Sequence, residues 1–244
     1  MKAYIQTNKD GEFYNVNAFT AYEGFKNFGF EVEKFIDSGE ISDNNPEHII
    51  VGGILNVRKR LQNLNIIREN KEIDYPAELK AYLKRKIWDS TINETFNSKN
   101  WNIFIKPQTE TKLFAGKVIK NEMDFVGLID PENDIRIWCS ELIDFKTEWR
   151  CFIRYKEILD IRRYKGEWDK KIDLKIVRNA ISAFQSQPRS YALDFGVNEN
   201  GETILVEVND GHSLGTYGIP PYNYAKFLSA RWSELTQTED YLNF

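Results

Sequence analysis

Apolar positions change period along the chain. Lys2–Gln6 alternates like a strand, while Val16–Phe28 carries Phe19, Tyr22, Phe25 and Phe28 at helical spacing, which predicts a helix with an aromatic core face. Phe30–Phe35 reads as a second short strand, and Asp37–Glu47 is polar and closes on Pro46-Glu47 as a loop. His48–Val51 has the β-branched, apolar composition of a buried strand and stops at Gly52-Gly53. Asn56–Leu64 reads as a basic helix, and Pro76–Trp88 as a helix with proline in its first turn, where a missing N–H is tolerated. From Trp101 the pattern turns to strands: Asn102–Lys106, Phe114–Ile119, Ile135–Cys139, Glu148–Tyr155 and Glu157–Arg163. Ile172–Gln185 is a helix, Tyr191–Val197 and Thr203–Val208 form a hairpin about Asn198–Gly201, and Asn223–Leu235 is the closing helix. Mixed elements followed by antiparallel strands predict an α+β protein. A soft boundary near residues 90–100 divides it into an N-terminal α/β region, 1–95, and a second region, 96–244.

Composition narrows the class. A chain of 244 residues can bury a full core, and 41% hydrophobic with 14% aromatic content excludes a disordered polymer. The net charge of −4 argues against broad nucleic-acid binding. No run approaches the ~18 apolar residues of a membrane span. The N-terminus turns polar too early for a signal peptide, so the expected location is cytoplasmic. Cys139 and Cys151 are too few for a disulfide framework or zinc cluster and read as packing residues. His48 and His212 exclude a histidine-rich metal site, and His212 reads as a solvated or structural residue, with assistance to proton transfer as the alternative.

The chemistry concentrates in YALDFGVNENGETILVEVNDG, residues 191–211. Asp194 sits inside one apolar strand. Glu207 and Asn209 share a face of the next, and a hairpin turning near Asn200 brings Asp194 opposite Glu207. A lone acid usually faces solvent, but three oxygen side chains converging within apolar strands suit a hard cation, Mg²⁺ above all when phosphate completes its shell. A metal also answers the cost of burying two like charges together. In FIKPQTETKLFAGKVI, residues 104–119, Lys106 ends an apolar strand, with Lys112 or Lys117 beside the hairpin tip, where ammonium groups and loop amides can hold phosphate. There is no GxxxxGK[ST] P-loop. Farther on, Glu148 and Arg150 share one strand face. Arg162 and Tyr164 share another, with Arg163 and Lys165 opposite them. Arg150, one of Arg162 or Arg163, and Lys165 are candidates to clamp anionic oxygens.

In this order the segments resemble the ATP-grasp superfamily, from about Tyr75 to Trp232, and more closely its small clade named for two arginines and a lysine. FIKP, KLFAG, SELIDFKTEWRCFI, YALDFGV, LVEVNDGHSLGTYG and the late Arg231-Trp232 carry the resemblance. It implies the ATP-grasp fold: two α/β lobes gripping ATP, preceded by a small degenerate N-terminal α/β region. Lys106 is similar to the lysine contacting the α- and β-phosphates, and residues 108–116, with Lys112, to the phosphate-covering loop. Ser140, Glu141, Leu142 and Ile143 match the hinge whose backbone reads adenine, and Glu148 the acid on the ribose hydroxyls. Asp194, Glu207 and Asn209 match the magnesium ligands, which hold two ions in ATP-grasp ligases. Arg150, Arg162 and Lys165 are candidates for phosphate or acyl-phosphate contacts, while Arg85 and Lys86 compete for an earlier nucleotide position. Two departures stand out. The covering loop lacks a glycine-serine core, and Ala192 occupies the place of an arginine found two residues before the first metal aspartate in many ATP-grasp ligases.

The resemblance implies an ADP-forming carbon–nitrogen ligase using ATP and Mg²⁺. A small amino acid or peptide supplies the carboxylate, an acyl-phosphate forms, and an amine captures it. A phosphotransferase stopping at a phosphorylated product and a non-catalytic nucleotide-binding module are the rival readings. An amine requirement for ADP release separates the first, and the retained Lys106, Asp194, Glu207 and Asn209 weigh against the second. Alanine at Asp194 or Glu207 is expected to abolish ADP production with the fold intact.

Overall fold

The computed structural model describes residues 1–67, 73–108, 113–130 and 132–244. The chain forms two compact units, one of Met1–Tyr82 with Phe145–Phe244, the other of Leu83–Asp144. The chain position 95/96 falls inside a helix of the second unit.

The first unit opens with a parallel sheet in which β1 (Lys2–Gln6) lies between β2 (Glu31–Phe35) and β3 (Ile49–Val51). Between β1 and β2 runs α1 (Val16–Asn27), whose N-cap Asn15 accepts the Ala18 N–H. The expected aromatic face holds for Phe25, which is buried, and for Tyr22 and Phe28, which pack against the core, but not for Phe19. Ala18, Ala21, Gly24 and Phe25 are buried, while Phe19 is 47% exposed. The reason is steric: a Cβ on Gly24 would lie 2.2 Å from the Pro221 carbonyl oxygen, so only small residues admit the neighbouring helix. That neighbour is α6 (Pro221–Thr236); α2 (Ile54–Asn63) follows β3.

A short 3-10 turn, Ala77–Leu79, leads into α3 (Lys80–Leu83), where the second unit begins. The helix expected over Pro76–Trp88 stops there. Lys84 takes a left-handed φ of 46°, and the chain turns into β4 (Ile87–Thr91). Thr91 then caps the unforeseen α4 (Ile92–Ser98) through the Glu94 N–H. β5 (Ile103–Pro107), β6 (Lys117–Ile119) and β7 (Arg136–Glu141) complete a sheet of order β4-β7-β5-β6. It is packed on Ile92, Ile105, Phe125, Ile137 and Cys139.

Back in the first unit, β8 (Phe145–Arg154), β9 (Glu157–Gly166), β10 (Ser190–Asn198) and β11 (Thr203–Asp210) form an antiparallel sheet of order β11-β10-β8-β9. α5 (Leu174–Ala183) lies between β9 and β10 in the chain, and Phe184 just after it packs edge-on against Tyr191. On the sheet's other face Phe152 meets Phe227 of α6, and Phe152 and Ala192 join one core with Ala3, Ile5, Phe25 and Tyr224. Separate parallel and antiparallel sheets with helices make the fold α+β. No helix among the described residues is long and apolar enough to cross a membrane.

Candidate active site

The site rests on a register shift. Val197 pairs with Thr203 across the turn at Gly201, whose φ is +77°. Counted from that turn, Asp194 would face Val206, and Glu207 would point to the opposite side. An irregularity between Asp194 and Phe195 sets Phe195 against Leu205 but Asp194 against Glu207. The extra residue on β11 thereby moves Glu207 and Asn209 onto the Asp194 face. Asn209 completes the group, donating from Nδ2 to Asp194 Oδ2 at 3.1 Å and to Glu207 Oε1 at 3.2 Å.

The next strands extend the row. Arg150 on β8 lies opposite Asp194, and Arg162 on β9 lies opposite Arg150. Arg150 grips Asp194 with two parallel bonds, Nε to Oδ1 at 2.8 Å and Nη2 to Oδ2 at 2.7 Å, and Nη1 donates to the Gly215 carbonyl at 3.3 Å. Both side chains are almost wholly buried. Burial pushes the Asp194 carboxyl up, and Arg150 opposes it; against its own desolvation, Arg150 is held charged by Asp194. Arg150 shares the relief of buried charge that the sequence reading assigned to a metal. Tyr164 and Tyr217 stack with ring centroids 4.8 Å apart, and the Arg150 guanidinium lies 4.8 Å from the Tyr217 ring. These tyrosines were not singled out as site residues. The one available signal for Tyr217 was its place in the glycine-rich segment after β11.

A second bulge decides among the basic residues. Glu148 pairs with Lys165, but Trp149 pairs with Arg163, so β9 carries an extra residue at Tyr164. Strict alternation set Lys165 and Arg162 on opposite faces; the bulge corrects this. Lys165 Nζ and Tyr164 Oη, the latter at 2.8 Å, both donate to the buried Glu148 carboxylate. Arg162 binds Asp160 at 2.8 Å while its buried Nε has no partner, and Arg163 turns to the Gly166 carbonyl. Ala192 is fully buried between Phe152 and Asn209. His212 is buried beside the Ser213 hydroxyl, 3.2 Å away, and its Nε2 is 3.7 Å from Asp210 Oδ1. Both cysteines are buried free thiols, and burial pushes each up in pKa.

The second unit holds the remaining candidates. Lys106 is half-buried on β5 opposite Trp138. Ser140 and Glu141 end β7, and Leu142 and Ile143 continue from it. Glu141 accepts the Lys86 N–H at 2.8 Å and donates its own N–H to the Lys86 carbonyl. Lys112 lies outside the described residues.

The donor set fits a hard cation. Among the described residues no cluster of three or more His, Cys, Asp or Glu side chains forms a complete metal cage. Two carboxylates and an amide in contact instead offer a partial, all-oxygen shell once the Asn209 amide presents its oxygen. That suits Mg²⁺ completed by phosphate.

A family model described as ATP-grasp domain, R2K clade family 2, matches residues 82–227, more than half of the chain. No curated protein matches it. Among solved structures, the D-alanine–D-alanine ligase of Bacillus anthracis complexed with ATP is similar in fold, with a TM-score of 0.60 at 12% identity over 97% of each chain. The L-amino acid ligase of Bacillus licheniformis gives 0.58 at 12% identity, covering 96% of this chain and 74% of its own. A D-cycloserine synthetase gives 0.58 at 9%, covering 95% and 100%.

Proposed function

The chain belongs to the ATP-grasp family, R2K clade, and from that premise we propose that it is an ADP-forming ligase joining a carboxylate to an amine through an acyl-phosphate. The observation that supports this most is the single row Glu207–Asp194–Arg150 with Asn209 beside it, an oxygen-donor set on a buried counter-charge. Asp194, Glu207 and Asn209 would hold Mg²⁺, and two ions are proposed. When bound there, Mg²⁺ supplies charge to offset the phosphate oxygens. Lys106 is proposed for the α- and β-phosphates, the backbone of Ser140–Ile143 for adenine, and Glu148 for the ribose hydroxyls, released to them from Lys165 and Tyr164.

The chain's own groups divide the remaining work. Arg150 grips Asp194 with two bonds and opposes the burial that pushes its carboxyl up. Lys165, whose side chain is 68% exposed, and Arg162, with an unpartnered Nε, are proposed to meet anionic oxygens of the acyl-phosphate. The fold-level neighbours are, by their names, a D-alanine–D-alanine ligase, an L-amino acid ligase and a D-cycloserine synthetase. A small amino acid or a short peptide is accordingly the proposed substrate, and the cytoplasm the proposed location.

The test is ADP release from Mg·ATP against pools of amino acids and short peptides, with mass spectrometry of the products. The expected result is ADP together with a product lighter by one water than its two precursors. A phosphorylated product alone would replace the ligase reading with the kinase one.

A further inference from the structure

The parallel sheet reverses its strand order at β1. Its order is β2-β1-β3, so the chain leaves β1 for β2 on one side and returns to β3 on the other. In open α/β sheets, ligands bind beyond the carboxyl ends of the strands at such a switch point. Here that point lies between Gln6, the last residue of β1, and Gly52-Gly53, which follow β3 and lead into α2.

The groups at this point hold donors in reserve. Gly53 is the N-cap of α2 and offers no side-chain cap; among the described residues, the Ile54 and Leu55 N–H groups of the first turn have no acceptor. Open first-turn N–H groups on a helix dipole favour an anion. Gln6 adds an independent donor. It is only 9% exposed, and its Oε1 accepts the Gly53 N–H at 2.7 Å. That bond fixes which way the amide points and leaves the Nε2 donor beside the same helix end, without an acceptor among the described residues. A Cβ on Gly52 would lie 2.7 Å from the Gln6 Oε1, so glycine there admits the amide. Two neighbouring polar side chains are already engaged. Asn56 accepts the Ser38 N–H at 2.8 Å, and Asp37 is paired with Lys59 at 2.6 Å.

The geometry points to a carboxylate-binding site at this helix end, where Gln6 Nε2 and the Ile54 and Leu55 N–H groups hold the unreacting carboxylate of an amino acid or short peptide. The inference rests on the proposed ligase reading for which carboxylate this is. One that is to be phosphorylated must lie beside the magnesium ligands. The three donors here are neutral and none ligates a metal, so they suit a carboxylate that is held and not transformed. Donors alone disfavour a cation. Ser213 joins the two places. Its hydroxyl donates to the Gly52 carbonyl at 2.8 Å, and two residues on, the Gly215 carbonyl accepts from Arg150, which grips Asp194.

Binding needs no turnover, so its failure would leave the ADP-release test of the ligase reading untouched. The full chain, isotope-labelled for NMR and free of nucleotide, is titrated with alanyl-alanine and with alanyl-alanine amide. Saturable shifts of the Ile54 and Leu55 amides and of the Gln6 side-chain NH₂ signal are expected with the free carboxylate and none with the amide. Gln6→Glu keeps an acceptor for the Gly53 N–H but loses the NH₂ group, and should abolish saturable binding. Ile54→Pro deletes one N–H at the first helical position, and Gly53, at φ −63° and ψ 158°, already has the backbone that precedes proline. It should weaken alanyl-alanine about tenfold, the scale of one hydrogen bond to a charged group. Equal shifts with the amide, inorganic phosphate binding the same amides as tightly or more tightly, no saturable shift at all, or affinity unchanged in both variants would overturn the assignment.

Discussion

Two of the arginines buried in the first unit, Arg150 and Arg60, are treated differently. Arg150, in the antiparallel sheet, spends Nε and Nη2 on Asp194 and Nη1 on Gly215, under the Tyr217 ring. Arg60, on α2 beside the parallel sheet, is fully buried, yet only Nη1 finds a partner, the Asp43 carbonyl; Nε and Nη2 have none. The Asp43 carboxylate, which could have neutralised it, instead accepts from Tyr4 at 3.0 Å and meets His48. Desolvation accordingly lowers the Arg60 pKa, while Asp194 raises that of Arg150. A buried charge with a complete shell is organised for use, whereas one with an incomplete shell is tolerated by the fold.

The largest expected effect breaks the complete shell. Arg150→Met strands Asp194, and Asp194→Ala strands Arg150; each should cost about 3–5 kcal/mol in denaturant unfolding. The alanine variant would then lose ADP production and stability together, which revises the expectation of an intact fold. Glu207→Ala removes a half-buried carboxylate that touches Asn209 and should lose ADP production with stability changed by about 1 kcal/mol or less. It is therefore the cleaner probe.

Arg60→Met sharpens the contrast. With two unpartnered nitrogens removed, its unfolding free energy should stay within about 1 kcal/mol of the parent or rise above it. A loss as large as that of Arg150→Met would erase the distinction between the two arginines.

Asp43 links the incomplete shell to pH. Against partial burial, the Asn45 N–H, His48 and Tyr4 hold its carboxyl down to about 2. A depressed folded value means the stabilisation is present above the unfolded carboxyl's range near 4 and is lost as pH falls through about 2. Asp43→Asn should therefore flatten the fall in stability between about pH 4 and pH 2. The smallest expected effect is that of Tyr217→Ala. It removes a half-exposed ring over Arg150 and should cost about 1 kcal/mol or less, measured by thermal unfolding.

The same contrast bears on what the sequence could reveal. β1, β10, β11 and the facing of Glu207 with Asn209 were legible because alternation within one strand is local. Arg150 could be flagged as a clamp, but its grip on Asp194 joins residues 44 apart and has no local signal. The face of Lys165 was misread because one extra residue at Tyr164 inverts everything after it. The helix over Pro76–Trp88 failed at Lys84, where a left-handed turn follows residues that all favour helix. On α1, aromatic spacing found Tyr22, Phe25 and Phe28 but not the buried Ala18, Ala21 and Gly24, because the approach of α6 is visible only in three dimensions. The discontinuous first unit was hidden for a similar reason, since its two segments are joined by long-range packing.

The most direct test of the central claim is calorimetric titration of ATP, with and without Mg²⁺, into the parent protein and Glu207→Ala. The account predicts Mg²⁺-dependent ATP binding in the parent, weakened at least tenfold in the variant while ATP alone binds both alike. Mg²⁺-dependent binding of equal affinity in both proteins would contradict the assignment of the Asp194–Glu207–Asn209 row.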